Sequence, residues 1–113
     1  MKNLIGIVAG EPYSINSEVI AKTWKMKSEF KNSNVFVIGS YDLIKIQLKK
    51  LKIRVKLKKI NSIKKQNFKK ELLILDVPVK FNKPFEIKKK NKIKYVLDSI
   101  DLAIKMAKKR EIS

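Results

Sequence analysis

The segment Gly10-Glu11-Pro12 is the part of the chain whose residue types and position most favour ligand binding. It lies between an apolar run, Leu4 to Ala9, and a helical pattern that begins near Ser17. In open α/β sheets ligands bind beside the carboxyl ends of strands, and a helix N-terminus can receive a phosphate or carboxylate. Phosphate-binding loops usually carry several glycines, whereas this one has Gly10 alone, and Glu11 would repel an anion. A plain strand-to-helix turn is therefore the competing interpretation.

Asp76 is the other acidic residue placed where a site could form. It ends the apolar run Leu72 to Leu75, although a capping or turn role before Pro78 competes with ligand contact. The remaining acidic residues are scattered, which does not favour the paired groups that acid–base catalysis needs. The chain has no cysteine and no histidine, so it lacks thiolate chemistry and the commonest metal ligand. We therefore predict no catalytic and no metal-binding residue in residues 1–113.

Length and hydropathy predict one domain, or one piece of a larger domain. The 113 residues are 44% hydrophobic and 34% charged, enough apolar surface for a folded core. No apolar run approaches the roughly 20 residues that span a bilayer, and no secretory signal pattern opens the chain. We expect a cytoplasmic protein without membrane contact.

The net charge of +18 points by itself to a polyanion partner. Only Arg54 and Arg110 among the 28 basic residues are arginine, the side chain best suited to bidentate phosphate and base contacts. A lysine-rich solvated surface is therefore favoured over a binding footprint. A freestanding nucleic-acid-binding module remains the alternative, and steep loss of binding with salt would distinguish it.

Strand and helix patterns alternate along the chain, which predicts an α/β fold with a mostly parallel sheet. Asn32-Ser33-Asn34 reads as a turn, and Ser40 as the cap of the second helix. Residues 53–58 alternate apolar side chains with Arg54 and lysines, as expected of a sheet edge protected against pairing. A nucleic-acid-binding ribbon or an assembly surface are the other interpretations of that edge. The predicted strands cover 4–9, 35–38, 53–58 and 72–75, and the predicted helices cover about 17–30, 41–51 and 91–109.

The final helix has the strongest periodicity. Its apolar positions are predicted to share one face: Ile93, Val96, Leu97, Ile100, Ala103, Ile104 and Ala107. Lys94 and Asp98 would form an ion pair on the other face. Strand–helix alternation predicts a further strand after this helix, so we expect the domain to be incomplete within residues 1–113.

Four segments together resemble the N-terminal portion of the 4-hydroxythreonine-4-phosphate dehydrogenases. Residues 5–12, with Ile15 and a helix start at Ser17-Glu18-Val19-Ile20, are similar to the family's first strand, Gly-Asp-Pro turn and helix start. Residues 35–39 resemble its second strand, residues 75–78 the segment before its long loop, and residues 95–109 the helix before its substrate-binding segments. Glu11 stands where the family has Asp, and residues 13–17 replace a stretch with two glycines, which puts positive-φ conformations there in doubt.

The resemblance implies a three-layer sandwich like that of isocitrate and isopropylmalate dehydrogenases, present in part as a single domain over residues 1–113. It implies that the complete enzyme uses NAD and a divalent metal to oxidise and decarboxylate a phosphorylated small molecule, 4-phosphooxy-threonine, in pyridoxal phosphate synthesis. It implies a homodimer, and it places Gly10, Glu11 and Pro12 at the cofactor. The family's metal-binding histidines and phosphate-holding residues come later in its sequence, so we expect this chain alone to bind no cofactor and to be inactive.

Overall fold

A computed structural model of the protein describes residues 3–9, 16–25, 33–64, 66–68, 70–81 and 87–109. These residues form four strands and three helices, and the last two strands follow each other with no described helix between them. The strands are β1 (Asn3–Val8), β2 (Ser33–Gly39), β3 (Leu57–Ile60) and β4 (Leu72–Asp76), and the helices are α1 (Asn16–Lys25), α2 (Tyr41–Lys50) and α3 (Lys89–Lys108). No helix of the described ranges is long and apolar enough to cross a membrane.

The strands form one all-parallel sheet in the order β1-β2-β4-β3. β2 lies beside β1, and β3 takes the position after the next one in the sheet. The chain then reverses direction, and β4 fills the position between β2 and β3. Because parallel crossovers are right-handed, reversing the direction puts the β3–β4 connection on the face opposite α1 and α2. Ile63 and Phe68 of that connection accordingly pack with the core under α3.

Each face of the sheet covers its own core, because alternate residues of each strand point to opposite sides. Val37 of β2 and Ile74 of β4 face α1 and α2, where Trp24 and Leu48 complete the packing. The opposite faces of the same strands join α3 in a second core. Its fully buried members include Phe36, Ile38, Leu73, Ile87 and Tyr95. The predicted three-layer α/β arrangement with a parallel sheet is confirmed.

Helix α2 begins and ends with local hydrogen bonds that the sequence encodes. The Ser40 hydroxyl accepts a hydrogen bond from the Leu43 N–H at 3.2 Å, as predicted for the N-cap. At the other end Lys52 adopts φ 58°, and the Ile53 N–H donates to the Leu48 carbonyl. This left-handed residue turns the chain out of the helix and towards β3.

Two predicted boundaries are wrong. Ser33 and Asn34 belong to β2 rather than to a turn, because they pair with Asn3 and Leu4 of β1. Residues 53–56 show the expected alternation of burial, but β3 begins only at Leu57. Its partner β4 begins at Leu72, so the earlier residues have no strand to pair with. β3 does form one edge of the sheet, as predicted.

The face that α3 turns towards the sheet differs from the predicted one. Tyr95, Ser99 and Met106 are buried, whereas the predicted apolar face is largely in solvent. Ile93, Leu97, Ile100 and Ile104 are 47%, 57%, 41% and 48% exposed. The predicted ion pair is present, with Lys94 Nζ 2.8 Å from Asp98 Oδ2.

Candidate functional site

The carboxyl ends of β2 and β4 meet at one edge of the sheet, where ligands bind in folds of this kind. Asp76 lies here and joins two elements. Its Oδ1 accepts a hydrogen bond from the Tyr41 N–H at 2.9 Å, and its Oδ2 lies 3.7 Å from Lys59 Nζ. A carboxylate at the first turn of α2 is stabilised by the helix dipole. Of the two roles considered from the sequence, the structure assigns capping to Asp76.

Tyr95 reaches the same edge from α3. Its hydroxyl oxygen accepts a hydrogen bond from the Ser40 N–H at 2.9 Å, a buried contact between residues 55 positions apart. Asp76 and Tyr95 thus receive the adjacent backbone N–H groups of Tyr41 and Ser40. The start of α2 is held by side chains from β4 and α3.

Burial raises the pKa of the Tyr95 phenol above its ordinary value, and the nearby Asp76 carboxylate adds to the rise, while the hydrogen bond from Ser40 opposes it. The phenol therefore stays protonated at neutral pH and cannot serve as a base there. Asp76 and Tyr95 both accept hydrogen bonds from the backbone at the start of α2. Their arrangement supports a rigid sheet edge rather than proton transfer.

Gly39 pairs with Asp76 in the sheet and lies against the Tyr95 hydroxyl. A Cβ atom built there would be 2.8 Å from the Tyr95 hydroxyl and 2.8 Å from the Ala9 Cβ. We predict that Gly39→Ala lowers the free energy of unfolding by about 1 to 3 kcal/mol, because Tyr95 or Ala9 must shift. Urea denaturation monitored by circular dichroism measures the change.

Gly6→Ala is the comparison variant for Gly39→Ala. Its added Cβ would meet the tip of the Phe36 ring at 3.0 Å, at the far end of a side chain. We expect a smaller loss, and equal losses would show that the Tyr95 contact is not what makes position 39 sensitive.

A cavity of about 310 Å³ opens beside this edge, between the ends of β3 and β4 and the last turns of α3. Its polar lining comes from Asn61, Ser62, Asp76, Lys105 and Lys109. The lining has two ammonium groups, from Lys105 and Lys109, and one carboxylate, from Asp76. Because Asp76 also accepts a hydrogen bond from the backbone of α2, the lining is positively charged overall. Such a lining suits an anionic group better than a cation.

The sequence-predicted cofactor segment, Gly10, Glu11 and Pro12, lies outside the described residues. No group of three or more acidic side chains that could hold a metal ion occurs in the described part of the chain. Tyr95 was not singled out from the sequence. The sequence feature that could have identified it is a second set of residues with helical spacing on α3, formed by Tyr95, Ser99 and Met106.

Two solved structures of similar fold are dehydrogenases. A 4-hydroxythreonine-4-phosphate dehydrogenase from Burkholderia phymatum matches with a TM-score of 0.86 and 18% identity, over 99% of this chain and 34% of its own. A proposed 4-hydroxythreonine-4-phosphate dehydrogenase from Salmonella typhimurium matches with a TM-score of 0.79 and 19% identity, over 99% of this chain and 35% of its own. No protein-family profile and no curated protein matches the chain.

The chain therefore spans about a third of the length of these two structures. The resemblance inferred from the sequence segments is confirmed at the level of fold. The α/β architecture is that of these dehydrogenases.

Proposed function

We propose that this chain is the N-terminal scaffold portion of an oxidoreductase similar to 4-hydroxythreonine-4-phosphate dehydrogenase. The complete enzyme would use NAD and a divalent metal to oxidise and decarboxylate 4-phosphooxy-threonine, and would act as a homodimer. The observation that carries the proposal is a fold match over 99% of this chain, reached at a TM-score of 0.86.

The described residues are consistent with a scaffold rather than with a reactive centre. Asp76 and Tyr95 are engaged by the backbone of α2, and the described residues offer no metal-ligand cluster. The metal therefore does not fit the described part of this chain, and its ligands would come from other residues. Gly10, Glu11 and Pro12 remain our candidates for cofactor contact, by their position after β1.

We predict no dehydrogenase activity for residues 1–113 alone, because the chain has no histidine and its described residues hold no metal-ligand cluster. The assay follows NADH absorbance with purified chain, 4-phosphooxy-threonine, NAD and a divalent metal. The intact Burkholderia phymatum enzyme serves as the positive control. Turnover by the isolated chain would contradict the scaffold role.

A chimera tests the enzyme assignment itself. In it, this chain replaces the matching third of the Burkholderia phymatum enzyme. If the two scaffolds are equivalent, a folded chimera produces NADH, and the same chimera carrying Phe36→Ala loses activity together with its fold. A chimera that is folded by circular dichroism, binds NAD and shows no turnover would argue against the proposal.

The nucleic-acid-binding alternative is not favoured, since the matching solved structures are dehydrogenases. A salt titration with duplex DNA separates the two functions. A protein that binds through several phosphate contacts loses affinity by about 10³ to 10⁵ between about 50 and 200 mM salt. For a lysine-rich scaffold we expect weak binding without sequence preference.

A further inference from the structure

We propose that a pocket at the amino ends of β3 and β4 binds a small anion that carries two or more phosphate groups. The pocket has a volume of about 290 Å³, and its lining comes from the end of α1, the stretch before β3 and the residue before Glu71. The lining residues are Trp24, Lys25, Arg54, Val55, Lys56 and Lys70, and we call this cavity the Arg54 pocket. The inference is independent of the dehydrogenase function, because Asp76 and the candidate site lie at the opposite end of the sheet.

The Arg54 pocket is lined by four cationic side chains and by no acidic one. All four cations are exposed. The ion pairs formed within the described ranges use other lysines, namely Lys22, Lys59 and Lys94. Because the four like charges line one cavity they repel each other, and a bound anion would remove that repulsion.

Arg54 gives the pocket a chemistry that lysines alone would not. It is one of only two arginines among the 28 basic residues of the chain. Its planar guanidinium can bind two oxygens of one phosphate group at once, whereas a lysine ammonium acts as a point charge. Burial alternates along residues 53–56, so Arg54 and Lys56 lie on one side while Val55 packs on the core under α1 and α2. This stretch has no strand beside it, which leaves the side chain of Arg54 open to a ligand.

A second cavity, of about 530 Å³, adjoins the Arg54 pocket and shares Arg54, Val55 and Lys56 with it. Lys45 and Lys49 of α2 add two more cations to this lining, which again contains no acidic side chain. An anion held by Arg54 therefore has further cations on the side of α2 as well as on the side of α1.

The charge and size of the Arg54 pocket indicate the class of ligand. A phosphate monoester carries a charge of about −1.5 to −2 at neutral pH, so two or more phosphate groups are needed to balance four cations. Small-molecule sites usually have volumes of about 300 to 1,000 Å³, and this pocket lies at the lower end of that range. A short oligophosphate such as pyrophosphate or triphosphate satisfies both conditions.

A nucleic-acid backbone offers the same phosphate chemistry but fits the pocket less well. Proteins hold single strands by stacking the bases on aromatic side chains, and Trp24 is only 8% exposed. A duplex presents its phosphates along an extended surface, whereas the four cations here converge on one cavity. The free oligophosphate is therefore the ligand that we assign.

Calorimetric titration of the full chain with triphosphate, at constant ionic strength, is the direct test. We expect saturable binding that Arg54→Gln weakens roughly 10-fold or more, because a charge-assisted, bidentate contact is lost. Arg54→Lys keeps the charge without the planar fork and should weaken binding less. Lys108→Gln is the matched control, since it removes one exposed charge from α3 at a position that lines neither cavity. Absence of saturable binding, or equal effects of Arg54→Gln and Lys108→Gln, would overturn the proposal.

Two further measurements separate the source of the phosphate and check the site without calorimetry. Duplex DNA is titrated into the same variants, and if Arg54→Gln weakened DNA binding but left triphosphate binding unchanged, the pocket would serve a nucleic-acid backbone and the proposal would be wrong. In thermal unfolding, triphosphate should raise the Tm of the wild type more than that of Arg54→Gln, because a ligand stabilises the folded state in proportion to its occupancy. Equal increases in Tm would contradict binding at Arg54.

Discussion

Phe36→Ala is expected to lower the free energy of unfolding by about 3 to 5 kcal/mol. Phe36 is fully buried at the centre of β2, the strand that pairs with both β1 and β4. Its ring lies against Gly6 of β1 and 6.4 Å from the ring of Phe68, in the β3–β4 connection. The truncation would leave a cavity that three parts of the chain line, and rigid strands cannot close it.

Urea denaturation of Phe36→Ala measures this loss. Domains of this size are stable by about 5 to 15 kcal/mol, so the loss is a large share of the free energy of unfolding. Phe68→Ala is the matched control, because Phe68 is only partly buried, and we expect a loss of about 1 to 2 kcal/mol. If both variants lost the same small amount, the central role of Phe36 in the core would be refuted.

Tyr95→Ala is expected to cost about 3 to 5 kcal/mol, since it removes a ring that is 2% exposed and the partner of a buried backbone N–H. Tyr95→Phe separates the two contributions. It keeps the ring and leaves the Ser40 N–H without its acceptor, at a cost of about 1 to 3 kcal/mol. Thermal and urea unfolding of the two variants gives both values.

The raised pKa of Tyr95 predicts how this contribution depends on pH. Below pH 10.0, the ordinary phenol value, both the folded and the unfolded chain keep the proton, and the contribution is fully present. Above it the unfolded chain loses the proton first, so stability falls as pH rises towards the folded pKa. The stability difference between the wild type and Tyr95→Phe should therefore narrow above pH 10.0. A difference that stays constant there would show that the phenol titrates alike in both states.

The order of strands and helices could be predicted from the sequence because each element carries its own signal. Continuous apolar runs mark strands buried on both faces, as in β2 and β4, and Ser40 marks the start of α2. The extent of β3 could not be predicted in the same way. Residues 53–58 have the strand alternation, but pairing depends on where β4 begins, and that is decided by a contact between distant parts of the chain.

The inward face of α3 illustrates a second limit. Two sets of residues on this helix have helical spacing, and the more hydrophobic set, with Leu97 and Ile100, faces solvent. Tyr95 faces the sheet because its ring fills the second core and its hydroxyl receives the Ser40 N–H. Periodicity identifies a helix with two candidate faces, and only the polar partner across the core selects between them.

The candidate site was predictable in position more than in detail. The carboxyl ends of the strands follow from the fold class, and Asp76 was identified there with a capping or turn role, although its partner, the Tyr41 N–H of α2, was not predicted. The contribution of Tyr95 depends on a residue 55 positions earlier, which no local pattern encodes. Gly10, Glu11 and Pro12 remain predictions.

The contact between Tyr95 and Ser40 also constrains when the domain can finish folding during translation. Ribosomes add about 5 to 20 residues per second, so the 55 residues that separate the two take roughly 3 to 11 s to synthesise. After Lys50 has been added, β1, β2 and α2 are all made, yet until Tyr95 follows, the backbone at the start of α2 lacks its acceptor and one face of the sheet lacks its cover. The nascent domain must therefore wait for the last helix to emerge before it closes.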